Sequence, residues 1–233
     1  GFLVDSIMQS PSNNIMNKLA RSILSLYSYS DVTENTTIED EMSIALDLIA
    51  KMPILMDGAY QAKRHKYDNA SLIMHPLRPE ENTAESILSL IRNDRSYTKA
   101  EAQLLDTLLA LHADHGGGNN STFACRVATS SGTDPFAAYT SAINSLKGPR
   151  HGGANIKVIQ MLDDIKAHVA HWENEGEVAD YLTKILRKEA NDGSGLIYGM
   201  GHAVYTLSDP RAVILKRKAM ALAAGKEIER EFR

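Results

Sequence analysis

Three short stretches of this chain combine residues able to do acid, base or electrostatic chemistry. Leu111 to Phe123 reads LHADHGGGNNSTF, Leu146 to Asn155 reads LKGPRHGGAN, and Tyr198 to Arg211 reads YGMGHAVYTLSDPR. Each places a histidine (His115, His151 or His202) beside glycines, and the third closes on Arg211. Glycines let a backbone approach a ligand closely. A neutral imidazole can donate a hydrogen bond to an oxygen that gains negative charge, and an arginine can grip a carboxylate through two parallel bonds. Singly, each has a plainer explanation: core histidines satisfied by hydrogen bonds, a structural turn that happens to hold a histidine, an arginine in a surface salt bridge worth little. Together they suit a small dianionic substrate with a carbonyl to be polarised. The piece missing among them is a base.

Two other chemistries fit badly. The helical histidine pair of zinc peptidases is spaced four apart with a glutamate after the first, whereas Asp114 lies between His112 and His115, which are closer together. The letters HGGG at His115 to Gly118 also occur in a lipase oxyanion motif, but that fold needs a sheet and a G-x-S-x-G elbow, which this sequence lacks.

The elements that position these loops read as helices. Ser12 stands before Ile15, Leu19, Ile23 and Leu26, at helical spacing. Ile38, Met42, Ala45 and Ile49 mark a second helix, which Pro53 is expected to kink or end. Ala84, Ile87, Leu88 and Ile91 give a short helix, and Thr98 with Glu101 forms a capping box for another through Leu104, Leu108 and Leu111. That last stripe, continued, turns His115 inward, with His112 extending the neighbouring row of Leu105 and Leu109. Asp134-Pro135 opens a helix to about Leu146; Ile156 to Ile165 and Val178 to Leu186 give two more, and Asp209-Pro210 begins a further one. With no alternating strand pattern, the fold class is all-α.

A chain of 233 residues with 43% hydrophobic and 23% charged residues can bury a real core, as one large domain or two modest ones. The division is expected near residue 150, giving regions 1–150 and 151–233. A net charge of -4 without single-sign blocks lacks the basic footprint of a nucleic-acid binder, so small molecules are the expected partners. Cys125, alone, is read as a small buried filler and fits a reducing compartment. No apolar run reaches membrane-span length and no signal-peptide layout shows, so a cytoplasmic location is expected. The start lacks methionine and the closing KEIEREFR lacks a helix stop, so an internal piece of a longer protein is expected.

The three loops, HADHGGGNNST, LKGPRHGGAN and GMGHAVYTLSDPRA, resemble those of the citrate synthase family, in the family's order and at about its separations. The resemblance implies an almost all-α, two-domain fold, incomplete here, with residues 1–150 part of the large domain and 151–233 most of the small one. It implies a homodimer formed by large-domain helices. The implied reaction condenses acetyl-CoA with oxaloacetate, then hydrolyses citryl-CoA to citrate and CoA, with no metal or redox cofactor and acetyl-CoA as a substrate. His151 matches the histidine that steadies the enolate oxygen of acetyl-CoA, and His202 the one that polarises and protonates the oxaloacetate ketone. His115 and Arg211 match oxaloacetate-binding positions, with Asn119 shaping the same site. Leu196, Ile197, Tyr198, Gly199, Met200 and Gly201 match the loop that holds the CoA adenine.

Two departures temper that match. The family's proton-abstracting aspartate and two further substrate-binding arginines lie beyond the position of Arg233, so this piece is expected to be catalytically incomplete. Ala203 and Thr206 stand where many members carry basic residues, so the resemblance does not extend to CoA phosphate contacts there. A 2-methylcitrate synthase using propionyl-CoA is the near alternative, because one methylene separates the acyl groups by only about 1 to 3 kcal/mol. A non-catalytic dicarboxylate-binding or assembly remnant is the alternative of another class, and a citrate-cleaving enzyme ranks below both.

Overall fold

The structure is a computed structural model describing residues 1–31, 36–114, 118–201 and 205–226. Among them are helices and turns with no strand, as the all-α reading of the sequence expects. The chain falls into two compact units, Gly1–Lys147 and Gly148–Arg233.

In the first unit, α1 (Ile15–Ser25) is capped by Asn14, whose Oδ1 accepts from the Asn17 amide at 2.8 Å. The expected cap, Ser12, instead accepts from the Asn14 amide and shapes the approach. Before it, Leu3–Met8 forms a π-helical turn that the sequence did not announce. Lys18 binds that turn: its buried ammonium donates to the Ser6 carbonyl and, at 3.1 Å, to Ser10 Oγ. Burial, with Arg21 nearby, pulls its pKa down to about 8.

Helix α2 (Ile38–Tyr67) opens on a capping box between Thr37 and Asp40 and runs unbroken through Pro53. Pro53 therefore does not end it. The only bond a proline nitrogen forfeits there is to the carbonyl of exposed Ile49, while the buried face continues through Leu55, Ala59 and Ala62. The stripe that disclosed this helix in the sequence is not its core face: Ile38, Met42 and Ile49 are exposed, and Ile44 and Leu48 are buried. A helix apolar on two sides makes the inward face ambiguous from spacing alone.

Helix α3 (Thr83–Ile91) begins in a capping box between Asn82 and Glu85, and α4 (Lys99–His112) in the expected one between Thr98 and Glu101. Arg92 Nη2 adds a 2.8 Å ion pair to Glu101. Those donors pull the Glu101 carboxyl down to about 2. Helix α5 (Asn120–Ser130) packs on α6 (Pro135–Leu146), which Asp134 caps. The unit's core joins Ile7, Leu19, Ile23, Leu26, Ile44, Leu48, Leu55 and Phe136. Two polar residues share the buried side of α2: Gln61 Nε2 donates to Asp57 Oδ1 at 3.1 Å and weakly to the Ile91 carbonyl, while Gln61 Oε1 has no partner. Burial pushes the Asp57 carboxyl up to about 6. Cys125 is only half-buried, against the expectation of a buried filler, because α5 buries no residue completely.

The second unit contains α7 (Ala154–His168), α8 (Glu175–Leu186) and α9 (Pro210–Ala223). Its core is small: Met161, Ile165 and Val169 meet Tyr181 and Ile185, with Trp172, Ile197 and Tyr198 packed against them. Tyr181 Oη donates to Asp164 Oδ2 at 2.8 Å, tying α8 to α7. Among the described residues, no helix is long and apolar enough to cross a membrane.

Candidate active site

His151 sits half-buried in the turn that leads into α7. The His151 and Gly153 amides both donate to the Gly148 carbonyl, at 3.0 and 3.2 Å. A Cβ on Gly153 would stand 2.6 Å from the Pro149 Cα, so only glycine closes this turn. The tight turn fixes the backbone that carries the imidazole.

The segment Leu196 to Gly201 follows a run of left-handed positions, with Asn191, Gly193, Gly195, Gly199 and Gly201 all at positive φ. Such a path needs outside support, and Asp192 supplies it. Its Oδ1 accepts from the Ser194 amide at 3.1 Å; its Oδ2 accepts from Tyr198 Oη at 2.7 Å and from Lys157 Nζ of α7 at 3.1 Å. Lys157 Nζ also lies 5.8 Å from the Tyr198 ring centroid. Ser194 Oγ accepts from the Leu196 amide at 3.2 Å and can give its own proton to Tyr198 Oη, also 3.2 Å away. These donors hold the Asp192 carboxyl well below the ordinary range. Gly199 lies against Val158, where a Cβ would meet Cγ2 at 3.1 Å. Leu196 and Met200 are exposed, so the outer surface of the loop is backbone and open side chains.

Arg211 lies in the first turn of α9, where Asp209 accepts from its amide at 2.9 Å as the helix cap. The same carboxylate meets its guanidinium: Nε reaches Oδ1 at 3.0 Å and Nη2 reaches Oδ2 at 2.7 Å. The pair is partly buried, which orients the arginine more firmly than the surface salt bridge considered above. A substrate carboxylate arriving there would share the guanidinium with Asp209 or displace it.

In the first unit, Asn119 caps α5 through Oδ1, accepting from the Ser121 and Thr122 amides at 2.9 and 3.3 Å. Its carbonyl oxygen is thereby spent on the helix. His112 does not point inward: α4 stops at His112, which is exposed, with Nδ1 at 2.8 Å from the Leu108 carbonyl. The apolar stripe that predicted otherwise ends with the helix. His115 and His202 lie outside the described residues.

The second unit thus brings the His151 turn and the 196–201 loop to the first turns of one helix, α7, while Asp209 orients Arg211 at the start of α9. Asp192 and Lys157 were not among the residues singled out from sequence. The available signal was Asn191-Asp-Gly-Ser-Gly, a composition in which an aspartate bonds the backbone two residues on. Elsewhere, a wholly apolar groove of about 270 Å³ is lined by Ile23, Leu48, Ile49, Met52, Tyr139 and Ile143, offering nothing to orient a charged ligand. Among the described residues, no group of three or more histidine, cysteine, aspartate or glutamate side chains is placed to hold a metal ion.

The sequence profile of the family described as citrate synthase, C-terminal domain, matches residues 2–233. The chain belongs to the citrate synthase family. It is 34% identical over 208 residues to a citrate synthase of Corynebacterium glutamicum, covering 88% of this chain and 44% of that protein. It is 35% identical over 209 residues to that of Haloferax volcanii, covering 88% and 50%. The chain therefore spans about half the length of the curated citrate synthases it matches. Its fold matches Thermoplasma acidophilum citrate synthase, solved as a ternary complex with carboxymethyl coenzyme A and oxaloacetate, at a TM-score of 0.75. That match has 24% identity and covers 99% of this chain and 56% of the other. Pyrobaculum aerophilum citrate synthase gives a TM-score of 0.72 at 25% identity, covering 95% and 53%.

Proposed function

We propose that the protein to which these residues belong condenses acetyl-CoA with oxaloacetate and hydrolyses the resulting citryl-CoA to citrate and CoA. The observation that carries the reading is the family match over residues 2–233, which includes all three histidine motifs. In this reading a base outside the present chain removes a methyl proton from acetyl-CoA, and His151 donates a hydrogen bond to the enolate oxygen. The enolate carbon attacks the ketone of oxaloacetate, and His202 gives a proton to the oxygen that becomes the citryl hydroxyl. Water then cleaves the thioester. His115 and Arg211 hold the oxaloacetate, with Asn119 shaping the pocket by capping α5. Leu196 to Gly201 cradle the adenine, and the glycine conformations at 199 and 201 suit backbone recognition of a flat ring. Histidines acting on oxygen make this chemistry possible with no metal or redox cofactor.

Residues 1–150 serve in this reading as part of the large domain, and 151–233 as most of the small one. A homodimer formed through large-domain helices is supported by Phe123 and Val127 of α5, which are 62% and 54% exposed on a helix that buries none of its own residues. Sedimentation of the protein tests it. The lone cysteine suits a cytoplasmic setting.

The decisive experiment measures thiol release by the full-length protein with oxaloacetate and either acetyl-CoA or propionyl-CoA. Turnover that needs both substrates and favours acetyl-CoA is expected; a preference for propionyl-CoA would make the enzyme a 2-methylcitrate synthase. No release with either thioester, together with calorimetric binding of oxaloacetate, would leave a dicarboxylate-binding remnant and overturn the enzymatic reading. The 233-residue chain alone is expected to release no thiol.

A further inference from the structure

The loop from Asn191 to Gly201 is costly to order, because five of its positions adopt the left-handed conformation and its glycines are free to leave it. One side chain joins its start, its middle and a neighbouring helix. Asp192 turns back to the Ser194 amide, receives Tyr198 Oη, and meets Lys157 across a separation of 35 residues. We propose that Asp192 is a positioning residue for the nucleotide-binding loop, clamping Tyr198 and Lys157 so that residues 196–201 are preformed for the adenine of a CoA thioester. The inference rests on the reading of that loop as the adenine site and adds to it the residue that holds the loop in shape.

The geometry explains why a carboxylate is needed. One oxygen is used by the backbone turn, and the other must accept from a phenol and an ammonium together. An amide at this position could keep the first contact but would present a donor to one or both of the others. Ser194 reinforces the same phenol, and the Lys157 ammonium lies near the face of the Tyr198 ring. Because Lys157 and Val158 stand in the turns that follow His151, the loop is referenced to the same helix as the catalytic histidine. Loss of the clamp should therefore loosen recognition of the nucleotide more than it disturbs the chemistry on bound substrate.

The test uses the full-length protein with acetyl-CoA and oxaloacetate varied separately. Asp192→Asn is expected to raise the KM for acetyl-CoA about five- to tenfold, the equivalent of one ordinary net hydrogen bond, with kcat and the KM for oxaloacetate within about twofold. Lys157→Met, a change at a half-exposed position, should move the same KM by about two- to threefold. An unchanged KM for acetyl-CoA in Asp192→Asn, or kcat and both KM values shifting together, would overturn the proposal. A second measurement follows amide hydrogen exchange of residues 193–201 in the chain itself, where Asp192→Asn should speed exchange at least about tenfold while α8 keeps its protection. Unchanged exchange would also overturn it. A wild-type protein inactive with both thioesters removes the nucleotide role together with the functional reading, and the exchange result still decides separately whether the clamp holds the loop.

Discussion

Asp57 and Asp192 carry the same side chain and are driven in opposite directions. Asp57 is buried on α2 with an amide as its hydrogen-bond partner, and its carboxyl is pushed up to about 6. Asp192 stands at the surface with a backbone amide, a phenol and an ammonium around it, and is held well below the ordinary range. In the first unit a carboxylate is tolerated inside an apolar core; in the second it organises a glycine-rich loop that its small core could not shape alone. A carboxylate therefore fixes structure here only where charged and polar donors converge on it, as they do around Asp192 and not around Asp57.

The strongest way to break the contrast is to remove the apolar support of the second unit. Ile185→Ala should cost about 2 to 5 kcal/mol, because Ile185 is 1% exposed and the cluster it belongs to is small. Urea unfolding measures the loss, and hydrogen exchange should show it concentrated in α7, α8 and the loop. A cost below about 1 kcal/mol would mean that the polar network, rather than the cluster, carries the unit.

Asp57→Asn should act in the other direction, stabilising the protein at pH 7 by about 1 to 3 kcal/mol. The sign follows from the raised carboxyl: between the ordinary value of 3.8 and about 6 the folded protein holds a proton that the unfolded chain has lost. Stability should therefore fall as pH rises through that window, and the slope should vanish in the variant. Thermal melts from pH 4 to 7 check both. Destabilisation at pH 7 would show that the ionised Asp57 is better solvated than its burial implies.

Glu101→Gln should lose about 1 kcal/mol at neutral pH, since Glu101 both closes the Thr98 box and pairs with Arg92, on a partly exposed surface. Here the folded carboxyl lies at about 2, below its ordinary 4.5, so its contribution is complete above 4.5 and disappears as pH falls toward 2. Melts across that acidic range should separate Glu101 from Asp57 by the opposite slope. The smallest change is expected from Asn119→Ala, about 0.5 to 1 kcal/mol in unfolding, because its support is one helix cap. A larger effect on the KM for oxaloacetate than on stability would identify its pocket role.

Much of the helical framework could be read from short-range signals. Thr98 with Glu101, Asp134 with Pro135 and Asp209 with Pro210 all stand where the corresponding helices begin. Helix α5 escaped notice because Asn-Ser-Thr opens it, and none of its residues reaches the core, leaving no clear stripe. The course of α2 through Pro53 depends on packing along its length, which a local rule about proline does not contain. At the site, the three histidine motifs and Arg211 stood out because glycine and charged residues cluster there. Asp192 did not, since its partners Tyr198 and Lys157 come together only when the loop lies on α7. Asp209 could have been found beside Arg211, being two residues away and already expected as the helix cap.

The clamp also sets an order in time. Tyr181 joins Asp164 across 17 residues within the pairing of α7 and α8, whereas Lys157 reaches Asp192 across 35. Closing the longer chain segment costs more entropy, and its reward exists only once α7 offers a formed surface. The loop from Asn191 to Gly201 should accordingly mature after α7 and α8 during refolding. Pulse-labelled exchange would find amides of α7 and α8 protected before those of residues 193–201, so that a newly made chain acquires its helical shape before this glycine-rich segment is set.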